Sequence, residues 1–424
     1  MSDPEETRVS GISRGYANYA LGLLTAVNLL NYLERNSIFA LFEPVKRDLH
    51  FSDAHLGWLG SAYVLVFSLA SLPAGVVGDL ESRRVVIAVG ILLWSIATSL
   101  SGLVDGFGEL LFTRAMVGLG GAAAAAGAAS LVADYFPGRR RSLAMSVFMV
   151  GLAVGGVTGI LLAGTLEHLY GWRAAFFLLG LPGFVLAALV LRINDPTRPA
   201  PPSRQGAEAL LETMRALEGV ARRILRTRTL VAVFGGGALI SFGMNGLVGW
   251  APAFLSRELG LSTAKASLIL GSYGLGAGIA GTVAGGWVAD WLRTRMPGAR
   301  LVTTGVGFIL GAPLAIWLLH LREMAWFTPV FCASFFFLTW YNGPLTAVIF
   351  DVVPSRIATT VVGAYLMFIH LAGDAVAFPL VGFLSDHFGL HRAVVLLPVA
   401  ALAGGLIVMS AVKSFAGDVE RASA

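Results

Sequence analysis

Residues 393–412 read AVVLLPVAALAGGLIVMSAV, with Arg392 before them and Lys413 after them. The run carries no charge, and at 1.5 Å per residue it is long enough to cross a hydrocarbon core of about 30 Å. Working outward from it, eleven further segments of the same kind can be marked, at roughly 16–42, 54–79, 84–104, 107–135, 142–167, 172–193, 230–256, 264–290, 300–320, 324–351 and 357–385. With 392–413 they make about twelve spans. Lipid is therefore the expected solvent, and the fold class is all-α integral membrane.

Composition agrees. The chain has 424 residues, 56% hydrophobic and 13% charged, whereas an average soluble domain is roughly 25% charged. The 52 glycines suit membrane helices, whose backbones approach closely where side chains are small. Cys332 is the sole cysteine, which excludes a disulfide framework and a cysteine metal site. Residues 1–15 are polar and the first apolar stretch is long enough to span, so no cleavable signal is expected.

The basic residues are distributed unevenly. If the N-terminus is inside, the inner segments hold 21 of the 30 Lys and Arg and the outer loops hold 7, while Arg35 and Arg114 fall within spans. That bias places both termini in the cytoplasm. Compactness and short outer loops suggest a bacterial inner membrane.

Between the sixth and seventh spans the sequence turns to NDPTRPAPP (194–202) and then to an Arg-rich stretch. The expected organisation is a six-helix bundle over 1–194, a cytoplasmic linker over 195–229 and a second bundle over 230–424. Within the linker Leu210, Met214, Leu217, Ala221 and Ile224 recur at helical spacing, which fits a helix lying on the inner membrane surface. A flexible basic linker fits as well. The halves repeat one another. Asp134-x-x-Pro137-x-Arg139 returns as Asp351-x-x-Pro354-x-Arg356, a shift of 217 that also carries Gly156 onto Gly373. Gly75-x-x-x-Asp79 returns as Gly286-x-x-x-Asp290, and Gly171-Trp172-Arg173 has a looser echo in Gly389-Leu390-His391-Arg392. Such repeats imply pseudo-two-fold architecture.

The stretch from Gly75 to Arg84, GVVGDLESRR, resembles the signature G-x-x-x-D-R-x-G-R-R of major facilitator transporters, with Leu80 and Ser82 departing from it. The resemblance implies a conformational latch formed by Gly75, Asp79, Arg83 and Arg84 with Asp134, echoed by Asp290 in the second half. A finer resemblance is to the spinster-like branch. Asn28 to Arg35 (NLLNYLER) looks like its first-helix L-N-Y-x-D-R, with Glu34 for Asp. Thr113 to Gly121 (TRAMVGLGG) looks like T-R-G-L-V-G-x-G-E, with Gly121 where the family has an acid, and His370 to Ala375 (HLAGDA) looks like H-L-L-G-D-A. This implies a twelve-helix major facilitator fold, alternating access, and transport of amphipathic lipids such as lysophospholipids or sphingoid phosphates driven by a proton gradient.

Buried ionisable groups are costly in a bilayer, so each one asks for a role. On a helical wheel Asn28, Asn31, Tyr32 and Arg35 share one face, flanked by Glu34, and that stripe is expected to line a watery cavity. Glu34 is the leading proton-coupling residue, since a partly desolvated carboxyl can exchange a proton near neutral pH. Arg114 suits bidentate capture of a phosphate or carboxylate. The expected switch is competition: a substrate anion on Arg114 deprives Glu34 of its counter-ion. His370 and Asp374, four apart with Met367 and Gly363 on one face, form a second candidate proton site. Tyr63, Asn245, Trp250, Tyr341 and Asn342 join Asn31, Tyr32, Arg35 and Arg114 as candidate substrate contacts, with Tyr273 and Trp340 as further polar-tipped residues in spans. Pro252, Pro344 and Pro379 mark kinks or tolerated prolines.

No nucleophile accompanies the His-x-x-x-Asp pair, and seven scattered histidines build no metal site, so an enzyme is not expected. The expected function is secondary transport of an anionic lipid, with no cofactor beyond the proton gradient, no nucleic-acid partner, and a monomer in the bilayer. The alternatives are a proton-coupled carrier of small organic anions and, from a different class, a non-transporting membrane sensor.

Overall fold

The computed structural model describes residues 13–80, 82–136, 140–196 and 218–423. Its elements among these are helices: α1 (Arg14–Ala40), α2 (Phe42–Leu49), α3 (Asp53–Leu80), α4 (Arg83–Leu100), α5 (Phe107–Tyr135), α6 (Arg141–Tyr170), α7 (Trp172–Val190), α8 (218–226), α9 (Arg228–Leu259), α10 (Thr263–Arg293), α11 (Ala299–His320), α12 (Met324–Leu338), α13 (Pro344–Val352), α14 (Ser355–Ile369), a π-turn (His370–Asp374), α15 (Ala375–Phe388), α16 (Leu390–Ser410) and α17 (Val412–Ser423). Ten spans are long and apolar enough to cross a membrane, α14 and α15 counting as one. Two more complete the twelve: α1, whose average is lowered by Glu34 and Arg35, and α12 with α13.

These helices are apolar nearly all round, the pattern of segments that bury one side in protein and give the other to lipid. Leu143, Val283 and Phe383 are exposed accordingly. The chain forms two compact units, residues 1–49 with 65–210 and residues 50–64 with 211–424, so α3 begins in the second unit and ends in the first.

In the first unit α1 runs along α6, and α4 packs on α5 and α7. The close α1–α6 approach comes from Gly151, Gly155 and Gly159, four apart on α6, which lie against the backbone of Thr25, Leu29 and Leu33 where a Cβ would collide. Asn28 donates to the Phe148 carbonyl at 2.9 Å, and Asn36 to that of Gly156 at 3.2 Å. In the second unit α9 packs on α16, and the core around Leu230, Val233, Ile349, Val361 and Val408 includes Val220 of α8. Of the expected linker helix, residues 210–217 lie outside the described residues; the remainder, α8, turns Val220 into this core while Leu225 stays exposed.

Two departures are local. The tenth span, read as continuous over 324–351, is broken after Leu338 and restarts at Pro344, a proline at the first helical turn where its missing N–H costs nothing. The eleventh contains the π-turn. The repeat also has a backbone form: Gly171 and Gly389 join consecutive helices with φ of 83° and 84°, a region open to glycine.

Candidate functional site

Glu34 on α1 and Arg114 on α5 lie inside the first unit, 0% and 1% exposed. Glu34 faces α4, where Thr98 and Trp94 flank its carboxyl without closing a hydrogen bond of normal geometry; Arg114 is its electrostatic partner, though the two form no direct ion pair among the described residues. The guanidinium is held instead by Ser101 Oγ at 2.8 Å, with Thr98 Oγ1 at 3.5 Å and the Phe176 ring 4.8 Å from its carbon. Ser101 is bonded in turn to Thr113 at 2.8 Å. Thr113 also lines an open groove of about 460 Å³ whose other walls are Leu100, Leu103, Val104, Gly108, Glu109 and Phe112. An apolar groove thus stands two hydrogen bonds from a buried cation.

This arrangement corrects the expected stripe. Asn28 spends its amide on α6, Asn31 is buried, and Glu34 is sealed inside the unit, whereas Tyr32 and Arg35 are partly exposed, with Arg35 over the Tyr32 ring at 5.5 Å. The ideal wheel put these residues on one wet face; α1 instead turns its 28–31–34 edge toward its own bundle.

A second polar centre lies in the other unit. Asp374, 0% exposed, accepts from Ser241 Oγ, from Asn245 Nδ2 at 2.9 Å and from His370 Nδ1 at 2.6 Å. Tyr341 and Tyr365 are its electrostatic neighbours. The π-turn sets this geometry: Gly373 seats against the backbone of Ala238 and Phe242 on α9, which brings Ser241 to the carboxylate. His370, partly exposed, is the wet end of the group. Met367 is exposed, and so is Gly363. Ser241 and Tyr365 had no sequence signal beyond being polar within a span.

The remaining candidates scatter. Tyr63 and Trp250 are buried in the second unit, Asn342 is exposed and donates to Thr282 Oγ1 at 3.0 Å, and Tyr273 is exposed. Pro252 and Pro379 sit inside α9 and α15.

At the α3–α4 junction Arg83 centres an ionic cluster. Arg83, 4% exposed, reaches Asp134 at 2.5 Å and Ser130 at 3.1 Å through one arm, and Asp195 at 2.7 and 3.0 Å and the Pro196 carbonyl at 3.1 Å through the rest. Arg84 donates to the Ile193 carbonyl instead of an acid. Asp290 is exposed and forms no ion pair among the described residues. The side chain of Asp79 and the packing of Gly75 lie outside the described residues. The true echo of Arg83–Asp134 is Arg300–Asp351, displaced by the same 217 at both positions; reading the shift onto Arg83 as well as Asp134 would have found it. Sequence reading also missed a group in the second unit. Asp53 is held by both arms of Arg257 at 2.6 and 2.7 Å and by Ser385, while Asp386 receives the N–H groups of Asp53 and Ala54 at the start of α3, at 2.8 and 2.9 Å.

Buried ionic groups in span after span and two repeated bundles agree with one further finding: the profile of the Major Facilitator Superfamily matches residues 24–373. The chain belongs to this superfamily. Its relatives are of the spinster kind: it is 29% identical to Protein spinster homolog 3 of Danio rerio over 95% of this chain and 86% of that one, and 26% identical to the sphingosine-1-phosphate transporter SPNS2 of Mus musculus over 94% and 78%. It is also 29% identical to an MFS-type efflux pump of Mycolicibacterium smegmatis over 96% and 94%. Among solved structures, a bacterial homologue of the human lysosomal transporter spinster shares the fold with a TM-score of 0.85 and 23% identity, covering 96% of this chain and 99% of that one. The chain is a membrane transporter of this superfamily, similar to the spinster proteins, and not an enzyme.

Proposed function

We propose that this protein exports an amphipathic anionic lipid, of the lysophospholipid or sphingoid-phosphate class, by alternating access coupled to protons. The observation that carries the reading is the sealed Glu34–Arg114 couple: among the described residues the carboxyl is flanked by Thr98 and Trp94 without a well-formed hydrogen bond, and the guanidinium is held by hydroxyls and an aromatic face. Such an uncompensated arrangement is costly unless the charges change during the cycle. In the proposed cycle Arg35, partly exposed, meets the anionic head first. Arg114 then takes the phosphate, and Glu34, deprived of its counter-ion, takes up a proton. His370 and Asp374 form a second proton-exchanging pair, with Ser241 and Asn245 holding the ionised acid. With Gly121 in place of a second acid, Glu34 carries the coupling of the first bundle.

The groove beside Thr113 favours an amphipath over a small organic anion, because it supplies an apolar wall next to the cation's tether. The likeness to SPNS2 supports a lipid phosphate, and the likeness to an efflux pump supports export. Cytoplasmic termini and a bacterial inner membrane complete the proposal, as does action by a single chain.

Reconstitution into liposomes containing a pH dye tests it. Lysolipid-dependent proton flux is expected from the wild type and not from Glu34→Gln, and Arg114→Ala should lose transport while remaining folded. Unchanged flux in Glu34→Gln removes that residue from the mechanism; competition by dicarboxylates but not by lysolipids assigns the substrate to the small anions.

A further inference from the structure

One face of α10 takes no part in the transport proposal. Ile279, Val283, Trp287 and Trp291 follow one another at intervals of four and so lie along one side of the helix. All four are exposed, from 45% at Trp291 to 68% at Trp287. The rise from Ile279 to Trp291 is roughly 18 Å at 1.5 Å per residue, close to the roughly 15 Å half-thickness of a hydrocarbon core. A chain lying on Ile279 and Val283 would therefore have its head near Trp291.

The head end is built for an oxyanion. The rings of Trp287 and Trp291 stack at 6.5 Å with an interplanar angle of 16°. Just past the helix, the Arg295 guanidinium carbon lies 3.7 Å from the centroid of Trp291. Local bonds fix that placement, with Thr294 Oγ1 donating to the Trp291 carbonyl at 2.9 Å and the Arg295 N–H to that of Leu292 at 2.9 Å. A guanidinium whose face is covered by an indole keeps its N–H edge for a partner. Among the described residues Arg295 has no acidic one. Asp290, the acid nearest in sequence, lies about 100° around the helix from Trp291 and forms no ion pair either. Arg293, exposed, adds positive charge at the same end.

We propose that Trp291 and Arg295 bind the phosphate of an anionic phospholipid of the surrounding leaflet, with its acyl chains along Trp287, Val283 and Ile279. The phosphate accepts from the exposed edge of the guanidinium, and the indole both orients and partly desolvates that cation. A zwitterionic lipid carries the same phosphate, but its own ammonium cancels the charge that Arg295 would neutralise. The bound lipid is a resident on the lipid-facing surface, separate from any transported substrate.

Native mass spectrometry of the full chain in a non-ionic detergent tests this, with phosphatidylglycerol and phosphatidylcholine of equal chain length as probes. Phosphatidylglycerol should be retained at least about five-fold more, Arg295→Ala should bring it down to the phosphatidylcholine level, and glycerol 3-phosphate should not compete. Arg295→Lys keeps the charge without the planar stack and should bind at an intermediate level while keeping the wild-type melting temperature. Equal retention of the two lipids, full retention by Arg295→Ala, or wild-type binding by Arg295→Lys would each overturn the proposal. So would an equal loss in Arg293→Ala, which would reduce the effect to general basic charge, or displacement by glycerol 3-phosphate.

Discussion

Arg83 ties together the first unit at the α3–α4 junction, and its replacement should be among the most damaging single changes in the protein. The side chain is 5% exposed and makes five hydrogen bonds, to Asp134, Ser130, Asp195 twice and the Pro196 carbonyl. Arg83→Ala leaves two carboxylates, 27% and 17% exposed, without the cation that both share. Removing one partner of a buried pair costs about 3–5 kcal/mol, and both acids here are largely shielded, so the full range applies. Its echo provides the control. Among the described residues Arg300 pairs with Asp351 alone, with the two side chains 16% and 22% exposed, so Arg300→Ala should cost about 1–3 kcal/mol once partial solvent screening is allowed for. At about 2–4 °C per kcal/mol for a cooperative unit of about 150–250 residues, the size of each of the two units, the melting temperature should fall by about 10 °C for Arg83→Ala and about half that for Arg300→Ala. The sole cysteine, Cys332, is partly buried, so a thiol-reactive dye reports unfolding at one site. Arg83→Lys should recover little, because a point charge cannot replace a fork that serves two acids. Equal shifts for the two alanine variants, or full recovery by lysine, would refute this account of the junction.

Asp418 on α17 receives the Thr229 N–H at 2.9 Å and pairs with Arg421. Burial works against its ionised form, but these bonds outweigh burial and hold the carboxyl below its usual value. The stability it contributes is therefore present above the unfolded value near 3.8 and lost below it, as pH falls through the lower folded value. Melting curves between pH 6 and 3 should show wild type losing more than Asp418→Asn; parallel losses would contradict the reading. Asp53→Asn strips the charge from a carboxylate bonded to both arms of Arg257 and should lower stability by about 2–4 kcal/mol, seen as a loss of the same size in Arg257→Gln and no further loss in the double variant. Ser241→Ala removes one of the donors to Asp374; a hydrogen bond to a charged group is worth about 1.5–3 kcal/mol, and the pH profile of proton-coupled transport should shift, whereas an unchanged profile would make Ser241 a packing residue.

Much of the fold was legible because a bilayer makes long apolar runs unambiguous. The fourth span, 107–135, coincides with α5, and most other ends fall within a few residues. What escaped are features that hydropathy does not carry. The short amphipathic helices α2 and α17 fell into segments read as loop and tail, and the break before Pro344 sits in a stretch as apolar as its flanks. Pairing was partly legible: Arg83–Asp134 follows from the signature, and His370–Asp374 from their spacing. The orientation of α1 was not, because a wheel gives the angle between residues and not which side faces the bundle. That choice was made by Gly151, Gly155 and Gly159 on a helix more than a hundred residues away. Asp53, Arg257 and Ser385 went unread for a similar reason, being brought together from three distant segments.

The π-turn bears on how the two halves arose. From Arg83 to Gly156 the first half maps onto the second by 217, onto Arg300 and onto Gly373 inside the turn, whereas Gly171 maps onto Gly389 by 218. A single residue inserted between Gly373 and Gly389 accounts for the lengthened offset, and a widened helical turn is where a helix takes up such an extra residue. The acid at the centre of the second polar cluster thus closes a turn that the continuous helix α6 of the first half lacks. Deleting one residue from that turn, unlike substituting one, should restore an ordinary α-helix and turn Asp374 away from its partners.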